Sequence, residues 1–115
     1  MEAPPLDRTQ VHVWTASLAA EHVALAEFST ILTTDERARA DRFRTLQLQR
    51  RFIVARAILR RLLSTYLRVD ASAVQLGYGK HGKPYVAGAS GLCFNLSHAK
   101  DMAMYAFAWQ RDVGI

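Results

Sequence analysis

The chain has 115 residues, half of them apolar and 22% charged, with a net charge of +5. That composition excludes a disordered chain and allows one modest hydrophobic core. No apolar run reaches the roughly eighteen residues a membrane span needs, the start MEAPPLDRTQ lacks the basic and apolar stretches of a secretory signal, and a single cysteine, Cys93, excludes an internal disulfide and suits a reducing cytoplasm.

In chain order, VHVWTASL (residues 11–18) alternates apolar and polar side chains, as a strand covered on one face does. EHVALAEFSTIL has helical spacing at Val23, Leu25, Phe28 and Ile31. Thr33 followed by Glu36 three residues later has the form of a capping box, so a second helix should begin near Thr34. The best-defined element is QRRFIVARAILRRLLSTYLRV. At about 100° per residue, Phe52, Ala55, Leu59, Leu62, Leu63 and Tyr66 form one apolar stripe. Arg50, Arg61 and Arg68 fall opposite and should face water, while Arg51 and Arg56 flank the stripe. Edge arginines of this kind either snorkel to solvent or present a guanidinium at the rim of a cleft.

The helix should end near Asp70. VQLGYGKHGKPYV then holds three glycines and a proline, the punctuation of turns and loops. LCFNLS reads as a short strand, HAKD as a turn, and MAMYAFAW as a second strand with Tyr105, Phe107 and Trp109 alternating. QRD turns again and VGI begins another strand. The order predicts a single α+β domain over residues 1–115, with helices packed on a small antiparallel sheet. An ending inside the apolar segment Val113-Gly114-Ile115 leads us to expect a piece of something longer.

Ten arginines occupy residues 37–68. Such an excess suits nucleic acid, an anionic surface, a phosphorylated cofactor or an acidic protein, and equally suits a merely solvated face. Ser97 beside His98 raises the question of a nucleophile and its base. Neighbours on a strand point to opposite faces and no G-x-S-x-G surrounds this serine, so a hydrolase is disfavoured. An anion clamp fits better. GYGKHGKP offers glycine backbone, two lysines and a histidine, and FNLSHAK adds a hydroxyl, an imidazole and Lys100. Neither segment is diagnostic alone. The acids and histidines have no metal-ligand spacing.

Taken in order, TTDERARADRF, RRFIVARAILRRLL, GKHGKP, FNLSHAKDMAMYAF and VGI resemble the N-terminal half of the Sfp-type 4′-phosphopantetheinyl transferases. The resemblance implies a Mg²⁺-dependent transfer of phosphopantetheine from coenzyme A to a serine of an acyl or peptidyl carrier protein. It implies two similar halves with coenzyme A between them, of which the C-terminal half is absent here. By position, Arg56 would approach a coenzyme A phosphate and Lys83 would lie with the nucleotide. Tyr78, Gly79, Lys80, His81 and Gly82, with Pro84 of the G-K-P, would form the loop around it. Ser97 and His98 would contact cofactor phosphates, so Arg56, Lys83, Ser97 and His98 should converge on one pocket wall. The D-x-E metal ligands and the general base of the family lie beyond Ile115, so no catalytic or metal-binding residue is assigned and the chain alone should be inactive. The partners expected are coenzyme A, the carrier protein and the chain's own C-terminal half, with neither nucleic acid nor a membrane. A basic nucleic-acid-binding module and a homodimeric interaction domain are the alternatives; no nucleic-acid fold signature accompanies the arginines.

Overall fold

Two runs of period-two residues, 12–17 and 102–109, pair with a third to make the main sheet. In the computed structural model, which describes residues 4–19, 22–88 and 90–110, the order is β1 (His12–Ser17), α1 (His22–Ile31), α2 (Thr34–Asp41), α3 (Leu46–Leu67), β2 (Leu76–Tyr78), β3 (Pro84–Val86), β4 (Leu92–Ala99) and β5 (Met102–Trp109). The main sheet is antiparallel with β5 in the middle, in the order β1-β5-β4. The α+β arrangement expected from the sequence is the one observed. No helix among the described residues is long and apolar enough to cross a membrane.

Register fixes which side chains share a face. Tyr105 lies opposite Trp14 and Leu96, and Phe107 opposite His12 and Phe94. This face packs on α3, where Leu59, Leu62 and Leu63 are fully buried along the anticipated stripe. The Tyr105 hydroxyl donates to the Ala55 carbonyl at 2.8 Å, joining sheet to helix. Burial pushes the Tyr105 phenol up, against a smaller downward pull from the Arg56 charge, so the hydroxyl keeps the proton it donates.

Val54 and Ala57 are buried as well, on the other side of α3. The sheet packs on one face of the helix, and α1 packs against the side that carries Arg61. Arg61, expected to face water, is therefore half-buried with its guanidinium 5.0 Å from the centre of the Phe28 ring. Arg50 and Arg68 are exposed as expected.

Three boundaries differ from the sequence reading. Helix α3 starts at Leu46, because Thr45 accepts from the Leu48 amide at 3.1 Å and caps it. It ends at Arg68 in a left-handed conformation, φ 56°, with its amide bonded to the Ser64 carbonyl. The glycine-rich stretch is more than loop: β2 and β3 pair antiparallel around a 3₁₀ turn at Lys80–Gly82. Strand β4 runs on through Ala99, so the turn comprises Lys100 and Asp101 alone, Lys100 taking φ 54°. The strand expected at residues 113–115 lies outside the described residues.

The sheet face turned away from α3 carries Val13, Met102 and Met104, which are 54%, 53% and 39% exposed. Ser97 lies on the same side, opposite Met104.

Candidate functional site

The site grows from a helix cap. Thr33 accepts from the Glu36 amide at 3.2 Å while Glu36 Oε1 accepts from the Thr33 amide at 2.9 Å, which turns the Glu36 side chain back along α2. Helix α3 covers it there. Arg60 Nε donates to Glu36 Oε1 at 2.7 Å and Arg56 Nη1 donates to Oε2 at 3.0 Å. All three residues are buried. Burial alone would raise the Glu36 carboxyl; the bonds from Arg60, Thr33 and Arg56 outweigh it and hold the carboxyl below its ordinary value.

Two guanidinium groups against one carboxylate leave a net positive charge inside the protein. Arg60 spends its Nη1 on the Ala71 and Val74 carbonyls. Arg56 Nη1 also donates to the Tyr78 hydroxyl at 2.6 Å, so both its hydrogens are used. The other Arg56 nitrogens have no hydrogen-bond partner among the described residues, yet no buried, unpartnered side-chain nitrogen or oxygen occurs among those residues. They therefore keep contact with solvent, through the cleft that Arg56 lines.

That cleft has a volume of about 560 Å³ between the α2–α3 corner and the end of β4. Phe43, Phe52 and Leu96 give it apolar walls, Arg39, Arg51, Arg56 and Lys100 give it positive charge, and the His98 imidazole stands beside them. Arg51 is paired with Asp101, whose Oδ1 lies 3.0 Å from Arg51 Nε. The Arg39 and Arg56 guanidinium carbons sit 5.3 and 5.2 Å from the Phe52 ring centre, within cation–π range. An arrangement of this kind can hold a multiply charged anion with an apolar or aromatic portion.

The residues expected to converge are divided between places. Arg56 and His98 share this cleft. Gly79, Lys80, Lys83 and Pro84 line a second cleft, of about 450 Å³, against β4. Tyr78 and Gly82 line a third, of about 660 Å³, which also touches Arg39, Arg42 and Arg60. His81 is exposed in the turn with φ 65°. Ser97 projects from the sheet face opposite to His98, because β4 keeps its alternation to Ala99. Convergence of all four on one wall is thus not what the fold produces, and Arg56 sits beneath the cleft surface, bonded internally, instead of standing free at its rim.

The sequence reading took Glu36 only as a cap and did not single out Arg60, although one signal was present. Arg60 follows Arg56 by four residues, about 40° around the helix, so the two form a row beside the apolar stripe that needs a carboxylate once covered.

Residues 13–110 match the family model described as 4′-phosphopantetheinyl transferase, N-terminal. The chain belongs to this family. Within it, the 4′-phosphopantetheinyl transferase HetI of Nostoc sp. strain PCC 7120 is 38% identical over 109 residues, which cover 92% of this chain and 46% of that protein. The phosphopantetheinyl transferase of Thraustochytrium sp. strain ATCC 26185 is 33% identical over 110 residues, 91% of this chain and 38% of that one. This transferase-family chain therefore spans about half the length, or less, of the curated relatives it matches. Its fold is shared with the crystal structure of a holo-(acyl-carrier-protein) synthase from Bacillus anthracis str. Ames in complex with CoA (3′,5′-ADP), at a TM-score of 0.60 and 20% identity over 84% of this chain and 91% of that one.

Proposed function

We propose that the chain is the N-terminal half of a cytoplasmic 4′-phosphopantetheinyl transferase and that the α2–α3 cleft receives phosphate groups of coenzyme A. The observation that carries this reading is the gathering of Arg39, Arg51, Arg56, His98 and Lys100 around one cleft with phenylalanine walls. Coenzyme A presents three phosphates and an adenine, so both the charge and the apolar surface have a counterpart. The fold-mate from Bacillus anthracis is described in complex with CoA (3′,5′-ADP), which supports the same ligand here.

The whole enzyme would transfer phosphopantetheine to a carrier-protein serine. The serine hydroxyl would give its proton to a general base as its oxygen bonds to the phosphorus of the pantetheine-bearing phosphate, the diphosphate P–O bond breaks, and adenosine 3′,5′-bisphosphate leaves with the electron pair. Cations in the cleft would stabilise charge growing on that leaving group. Among the described residues no group of three or more His, Cys, Asp or Glu could hold a metal ion. Metal ligands, the general base and the rest of the coenzyme A site would belong to a C-terminal half, for which Val13, Met102 and Met104 offer an apolar docking face. Lys80 and Lys83 would reach the nucleotide from the β2–β3 hairpin, and Ser97, on the outer face, would meet a ligand only at the boundary with that second half.

Calorimetric titration of the chain with coenzyme A and with dephospho-coenzyme A tests the reading. Saturable binding that weakens without the 3′-phosphate is expected; equal or absent binding of both overturns it. Incubated with Mg²⁺, coenzyme A and an apo carrier protein, the chain alone should yield no product.

A further inference from the structure

We infer that Tyr78 is a positioning residue whose hydroxyl, gripped by Arg56, latches the β2–β3 hairpin onto α3 and thereby sets where Lys80 and Lys83 stand. The hairpin is a separate two-stranded sheet of three residues per strand. A ribbon that short is marginal by itself. Its turn passes through two consecutive left-handed residues, His81 at φ 65° and Gly82 at φ 74°, and carries the exposed Lys80, His81 and Lys83.

Leu76 and Val86 pack on the core and hold the base of the hairpin. Nearer the tip, Tyr78 supplies the one side-chain hydrogen bond from residues 75–87 to a helix among the described residues. The residue is 46% exposed, yet its hydroxyl ends on a buried guanidinium at 2.6 Å and its ring centre lies 5.7 Å from the Arg56 guanidinium carbon. Arg56 cannot yield easily, since Glu36 holds the same nitrogen and the Phe52 ring packs against the guanidinium. A solvent-exposed tyrosine anchored to an immobile cation is a fixed strut. Its far end is one residue before Gly79, where the turn begins.

The test uses Tyr78→Phe, which keeps the ring and removes only the hydroxyl. Amide hydrogen exchange should quicken by roughly tenfold, as for loss of a hydrogen bond to a charged group, at the hairpin amides of Gly79, Gly82 and Ala87, which bond to the Lys83, Gly79 and Gln75 carbonyls. The β5 amides of Tyr105 and Phe107 should not change. Unchanged hairpin exchange, or equal acceleration in hairpin and sheet, overturns the latch. This arm is independent of any ligand.

The second arm rests on the coenzyme A reading above. Tyr78→Phe should weaken coenzyme A binding, and added to the double variant Lys80→Met/Lys83→Met it should weaken binding no further, because the tyrosine acts through those two lysines. Additive losses would overturn the positioning role. A wild-type chain that binds no coenzyme A would defeat the ligand reading alone, leaving the exchange result to decide the latch.

Discussion

Glu36 and Arg60 meet at 2.7 Å with side chains only 4% and 3% exposed. The carboxylate of a helix cap is thereby also the counter-ion of the long helix beneath it. Removing one partner of such a buried pair leaves the others uncompensated, at a cost of about 3–5 kcal/mol. Glu36→Gln should lower the denaturation midpoint in urea by an amount matching that range, a large share of an ordinary domain's 5–15 kcal/mol or so.

The same group makes stability pH-dependent. Its carboxyl is lowered in the folded chain, burial being overcome by Arg60, Thr33 and Arg56. The unfolded state therefore takes up the proton first as pH falls. The contribution is complete above the ordinary carboxylate value, about 4.3, and disappears as pH drops through the lowered folded value. Urea midpoints measured from about pH 6 down to pH 3 should fall in the wild type and fall less in Glu36→Gln. Parallel curves would show that Glu36 does not titrate in this window.

Arg68 closes α3 with φ 56°, a conformation that costs a side-chain-bearing residue about 1–2 kcal/mol. Arg68→Gly removes that strain but frees the unfolded chain. A net stabilisation of about 0.5–1 kcal/mol is expected, read as a raised thermal midpoint. Destabilisation would mean that the exposed arginine side chain contributes more than its backbone costs.

Lys100 and His98 border the cleft from the end of β4, and their side chains have no hydrogen-bond partner among the described residues. Lys100→Met should weaken coenzyme A binding about tenfold, the order of one charge-assisted hydrogen bond. The wild-type affinity should also fall with added salt more steeply than that of the variant. Identical salt slopes would place the phosphate elsewhere.

How far the sequence alone reached follows from the kind of information each feature needs. Strand and helix periods are local, so β1, α1, α3 and β5 were legible, as was the Thr33–Glu36 box. The destination of the Glu36 carboxylate was not, because its partners lie 20 and 24 residues away on another helix. The short β2–β3 pairing was hidden by its glycines and proline, which signal turns as strongly as they permit this tight ribbon. Ser97 and His98 were separated by two residues of extra strand: continuing β4 to Ala99 keeps the pair on opposite faces, where a turn at His98 would have freed both to share a ligand. Arg56 was legible by motif and by helix position, but its depth depended on α2 lying over it.

The most direct measurement is a nuclear magnetic resonance titration of the isotope-labelled chain with coenzyme A. Signals of Arg39, Arg56, His98 and Lys100 should move together and saturate with one dissociation constant, while those of Met104 and Val13 on the outer sheet face stay still. Saturable shifts confined to the outer face, or none at the four cleft residues, would contradict the account.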